Sequence, residues 1–134
     1  MTYELQVVVW VVLVMFATLV VQVLMTIANQ GFPWAVGPHD EPPVVSPVQG
    51  RVNRAVSNTI EGLVMFAPLA LIAAVSGVSN GTTELGATLF LLSRIAFPVA
   101  YASGIPFVRT LAWAPGAVGT LLIAFVLISA PASG

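Results

Sequence analysis

The chain contains no cysteine, which excludes disulfide frameworks, thiol catalysis and thiolate metal sites and leaves the redox compartment unread. It is also poor in charge. Four basic residues, all arginine, stand against five acids, so charged residues make up 7% of 134 positions and the formal charge is −1. Soluble domains carry about a quarter charged residues, so that class is excluded. Without a basic field, nucleic acid is excluded as a partner. The single histidine, His39, cannot form a histidine-rich metal site alone. Its neighbours Asp40 and Glu41 do not change this, because three adjacent positions cannot converge on one ion without a shaped turn and further ligands. No metal site is expected.

The composition is instead apolar: 58% hydrophobic residues and a mean hydropathy of +1.01. The length predicts a single domain over residues 1–134, with no room for a separate catalytic lobe. Residues 5–28 form one apolar run whose only polar members are Gln6, Thr18, Gln22 and Thr26. At 1.5 Å per residue it is roughly 36 Å long, enough to cross a hydrocarbon core of about 30 Å. The start Met1-Thr2-Tyr3-Glu4 lacks the positive charge of a cleavable signal, so this helix is expected to stay. Three more apolar segments follow near residues 53–76, 85–103 and 110–130, separated by glycine, proline and small polar residues. Backbone groups in lipid must be satisfied within each segment, so the reading is an all-α integral membrane four-helix bundle.

Arg51, Arg54 and Arg109 lie near the loops after the first and third spans, whereas the opposite side carries Glu4 and Glu84. The positive-inside rule then places both termini outside the cytoplasm. The first loop, residues 29–50, holds five prolines and is long enough to suggest a functional or partner-binding segment. Its Phe32 and Trp34 suit the headgroup level. Pro68 and Pro98 are read as tolerated kinks, and Gly116 and Gly119 with Ala112, Ala117 and Thr120 as a small-residue packing surface on the fourth span.

The informative stretch runs from Gly50 to Leu63. On a 100°-per-residue wheel, Arg51, Arg54, Asn58 and Glu61 fall at about 0°, 300°, 340° and 280°, on one face. An Asn and a Glu inside a membrane helix are costly against lipid, so this face must meet protein or a wet cavity. Arg94 in the third span, with Tyr101 seven residues on and Phe90 and Phe97 nearby, supplies an answering stripe. A Glu61–Arg94 pair is the simplest expectation for avoiding two isolated charges. By composition and spacing, a structural lock and a ligand site both remain open.

These residues resemble the MAPEG superfamily of membrane proteins in eicosanoid and glutathione metabolism, especially its small bacterial members. The resemblance covers most of the chain. It rests on four spans, the Arg51-x-x-Arg54-x-x-x-Asn58-x-x-Glu61 pattern, Arg94 followed by Tyr101, and Arg109 opening the fourth span. It implies a homotrimer in a bacterial inner membrane, with both termini periplasmic and glutathione bound between neighbouring subunits. It also implies an apolar electrophile or lipid hydroperoxide arriving from the bilayer, in transferase or peroxidase chemistry. Carried over residue by residue, Arg51, Arg54, Asn58, Glu61 and Arg94 would hold glutathione, and Tyr101 and Arg109 would assist its thiol.

The chain departs from the family's glutathione-using members at several points. Ser57 precedes Asn58 where those members carry arginine, Phe97 stands where one group has histidine, and Ala28-Asn29-Gln30 lacks a basic residue. Arg109 is one residue closer to Tyr101, and Trp113 stands where a tyrosine occurs. These departures favour the alternative, a non-catalytic accessory or structural subunit on the same scaffold. A small transporter is disfavoured, since four short spans offer little for alternating access.

Overall fold

Caps and prolines set where each helix begins. In the computed structural model, which describes residues 1–131, α1 spans Tyr3–Gln30 and stops at Gly31, whose φ of +85° lets its N–H reach Ile27 O at 2.8 Å. A five-residue α2 follows at Phe32–Val36. α3 (Pro47–Val75) starts where the Ser46 hydroxyl accepts from Gln49 N at 3.2 Å and Pro47 occupies the first turn. α4 (Gly81–Ser103) opens with a reciprocal capping box between Asn80 and Thr83, and α5 (Pro106–Ser129) again begins at proline. The last three residues of the expected domain lie outside the described ones.

Four of these helices, α1, α3, α4 and α5, are long and apolar enough to cross a membrane, and the described residues contain no strand. The protein is therefore an all-α membrane protein with four spans. α3 starts six residues before the apolar run expected at 53, because Ser46-Pro47 is the start signal and polar residues fill its first turns. Arg51 and Arg54 thus lie in the first two turns of α3, on the helix that carries Asn58 and Glu61. The first loop also differs from a plain solvated segment. Trp34 stacks on His39 with centroids 4.4 Å apart and donates its indole N–H to Glu41 O at 3.2 Å. No group of acids and histidine there is placed to hold a metal among the described residues.

Exposing Leu or Val to lipid costs little, so polar contacts and close packing must specify how the helices meet. The core gathers Val7 and Val11 of α1, Phe66 and Ala70 of α3, Ala87 and Phe90 of α4, and Ile123 of α5. Phe66 and Phe90 stack at 4.0 Å. α4 and α5 come closest at Gly86 and Gly119. α1 and α3 are joined by amides and hydroxyls: Gln22 Nε2 donates to Asn53 Oδ1 at 2.9 Å, Gln49 Nε2 to Thr26 Oγ1 at 2.9 Å, and Asn29 Nδ2 to Gln49 Oε1 at 2.6 Å. This ladder fixes the rotation of the start of α3, and so the direction in which Arg51, Arg54 and Asn58 project.

At the other end Glu4 is fully buried, its carboxylate accepting from the hydroxyls of Thr83 and Ser79, the latter at 3.1 and 3.2 Å. This bond joins the start of α1 to the start of α4, where the helix N-terminus also favours the negative charge. Glu4→Ala should lower stability by about 2 kcal/mol, because charge-assisted buried hydrogen bonds are lost and a void remains. Glu4→Gln, which keeps the volume, should cost less. Unfolding in detergent mixtures measures both, and equal losses would show that the charge contributes nothing.

Candidate functional site

The start of α3, the end of α4 and the start of α5 meet at one end of the bundle. Tyr101, on the last turn of α4, lies between two guanidinium groups there. Arg54 Nε donates to the phenol oxygen at 3.3 Å and Arg109 Nη1 at 3.5 Å, and their central carbons stand 5.6 and 5.5 Å from the ring centroid. Arg51 completes the cluster. Its guanidinium crosses the Gly104 turn that ends α4, where a Cβ would fall 3.0 Å from Nη1. Gly104 has a φ of +74°, so glycine serves both the left-handed turn and the close approach.

A cavity of about 90 Å³ opens among Arg51, Arg54, Tyr101, Gly104 and Arg109, with no acid in its lining. The buried Arg51 Nε has no hydrogen-bond partner among the described residues. Three cations, a phenol and an unused donor form an anion-binding chemistry.

One turn further into α3, Asn58 receives Arg94 from α4. Arg94 is 2% exposed, and its Nη1 donates to Asn58 Oδ1 at 2.9 Å and Asn58 O at 3.2 Å, while Nη2 donates to Ser93 Oγ at 3.0 Å. Its guanidinium lies 5.3 Å from the Phe90 centroid and 5.4 Å from that of Phe97, a cation held between ring faces. Gly62 and Gly116 provide the room: a Cβ on either would come within 3.0 Å of an Arg94 nitrogen.

The expected Glu61–Arg94 pair is corrected here. None of Arg94's hydrogen bonds goes to Glu61. Gly62 lets the guanidinium drop onto the α3 backbone beside Asn58, whereas Glu61 sits on the exposed side of the helix. The two residues nevertheless line one cavity of about 290 Å³, together with Asn58, Met65, Trp113 and Leu121.

An intermediate cavity of about 270 Å³ is lined by Asn58, Phe97, Tyr101, Arg109, Thr110 and Trp113. It shares Asn58 and Trp113 with the larger cavity and Tyr101 and Arg109 with the cationic one. The structure thus places Arg51, Arg54, Asn58, Glu61, Arg94, Tyr101 and Arg109 along three adjoining cavities. Polarity runs from three cations, through an amide, to a carboxylate beside an apolar wall. Sequence reasoning missed Ser93 and Gly62. A glycine one turn after Asn58 on a polar face was the available signal that another helix's side chain enters there.

No curated protein and no solved structure matches the chain. The pattern of the MAPEG family matches residues 7–129. That match takes in α1 from Val7, the other three spans and every residue of the three cavities, and the chain belongs to the MAPEG family.

Proposed function

We propose that the three cavities bind glutathione and that the protein is a glutathione-dependent transferase or peroxidase acting on apolar electrophiles or lipid hydroperoxides. The observation that carries this reading is the order of charges along the groove. Glutathione has two carboxylates, an ammonium group and a thiol. The acid-free cluster of Arg51, Arg54 and Arg109 suits a carboxylate, and the idle Arg51 Nε supports such a partner. Glu61, free of Arg94, suits the ammonium.

Tyr101 and Arg109 stand together where a hydroxyl and a cation would lower a thiol's pKa. Bound glutathione would supply a thiol whose sulfur adds to an electron-poor carbon, its proton passing to the neighbouring carbon or leaving with a displaced halide. Arg51 and Arg54 would orient the tripeptide and Asn58 would hydrogen-bond its backbone. The apolar wall of Met65, Phe90, Ala117 and Leu121 would admit the second substrate and exclude water. The finer assignments accompany this reading: a homotrimer in a bacterial inner membrane, with the arginine end cytoplasmic and both termini periplasmic.

Isothermal titration of the purified protein in nanodiscs with glutathione tests the proposal. Saturable binding is expected. Glu61→Ala and Arg54→Ala should each weaken it about tenfold, the value of one charge-assisted contact. Absence of binding to the parent protein would end the reading. The alternative, a non-catalytic accessory subunit, is favoured by the way Arg94 joins α4 to α3 through Asn58, as a packing contact would. It expects no binding and unchanged assembly in both variants.

A further inference from the structure

The intermediate and the apolar cavities share two lining residues, Asn58 and Trp113. Asn58 is held by Arg94 at 2.9 Å. Trp113 is not held in that way. The residue is 45% exposed, and none of the aromatic stacks among the described residues includes it.

The backbone beneath the indole is fixed. Ser93 Oγ donates to Ala112 O at 2.6 Å, and Gly116 packs against Ser93 and Arg94 so closely that a Cβ there would lie 2.6 Å from the serine oxygen. The backbone of Trp113 is therefore held, and its large, electron-rich indole lines both the intermediate and the apolar cavities, one helical turn from Arg109.

We propose that Trp113 is the specificity-determining wall of the site, and that it selects planar, electron-poor, conjugated acceptors over compact non-planar ones. The inference rests on the glutathione reading above for the thiol, and adds which second substrate meets it. An acceptor entering along Met65, Ala117 and Leu121 meets the indole, which lines that cavity and the one that holds Tyr101 and Arg109. A flat π-system with electron-withdrawing groups gains offset stacking there, whereas a tetrahedral alkyl hydroperoxide gains only area.

The test has two arms. In a Trp10→Phe, Trp34→Phe protein, Trp113 is the single tryptophan, and neither replaced residue lines either cavity. Its fluorescence in nanodiscs should be quenched saturably by dinitrobenzene. Quenching that rises linearly, as for partition into lipid, would overturn the proposal, and this arm needs no glutathione.

In the second arm, the ratio of kcat/KM for chlorodinitrobenzene to that for tert-butyl hydroperoxide should fall about tenfold in Trp113→Ala and much less in Trp113→Phe. The ratio is read at saturating glutathione in both variants, so that a change in glutathione affinity does not enter it. An unchanged ratio in a folded Trp113→Ala protein also overturns the proposal. If the parent binds no glutathione, the functional reading fails by itself, and the quenching result still decides the role of Trp113.

Discussion

Gly119→Ala should be among the most damaging single-methyl changes in the chain, lowering stability by about 3 kcal/mol or preventing assembly of the bundle. An added Cβ at Gly119 would lie 2.2 Å from the backbone oxygen of Gly86, and one at Gly86 would lie 2.6 Å from that of Gly119. Each obstacle is helix backbone, not the far end of a flexible side chain, so relief requires α4 and α5 to separate. Separation costs more than the local dispersion energy. Lipid supplies no hydrophobic drive between helices, so close backbone approach and its weak Cα–H···O contacts carry much of the α4–α5 pairing.

It would also pull Ser93 from Ala112 O and Arg94 from its place beside Gly116, opening the groove at its middle. Gly81→Ala is the control: nothing lies within 4 Å of that position, and it sits in the first turn of α4. Its effect should stay within about 0.5 kcal/mol. Unfolding midpoints in detergent measure both, and a Gly119→Ala protein as stable as the parent would contradict the packing argument.

The contrast between those glycines shows what a single sequence discloses. Four spans were legible because hydropathy and length are local properties, and lipid leaves the helix as the form for each run. The Arg51–Arg54–Asn58–Glu61 face was legible because a helical wheel needs no knowledge of other helices. Gly116 and Gly119 could be read as a packing surface, but which helix they meet could not, since Gly86 carries no mark of its partner. Gln22 and Thr26 stood out only as polar members of an apolar run. Their bonds to Asn53 and Gln49 depend on two helices lying side by side in one register.

The Glu61–Arg94 expectation failed for a related reason. Charge scarcity suggests a pair, yet the depth to which Arg94 enters is set by a missing side chain at Gly62, and at that depth Asn58 is the nearer acceptor. Start positions were displaced because apolarity begins several residues after the hydrogen-bonded helix does, as Ser46-Pro47 and Asn80 show.

Arg94→Met should separate stability from ligand binding. The guanidinium is buried, and every group it is seen to bond, Asn58 O, Asn58 Oδ1 and Ser93 Oγ, is neutral. A cation in low dielectric with only neutral acceptors recovers little of its desolvation cost, and replacement by an apolar side chain of similar length is often neutral or stabilising. The bundle of Arg94→Met should therefore remain within about 1 kcal/mol of the parent or exceed it.

Arg94 also lines the cavity that holds Glu61, and it fixes the Asn58 amide in the orientation that faces the groove. On the proposed function, its loss should weaken glutathione binding about a hundredfold, through the missing positive field and the freed amide together. Arg94→Lys keeps the charge but cannot reach Asn58 and Ser93 at once, so its affinity should fall between the two. Unfolding and calorimetric titration of the same preparations measure both quantities. A structural lock predicts the reverse pattern, a loss of about 3 kcal/mol or more in Arg94→Met with affinity intact in the protein that remains folded. A buried charge whose removal spares the fold but weakens binding serves its ligand, not the packing.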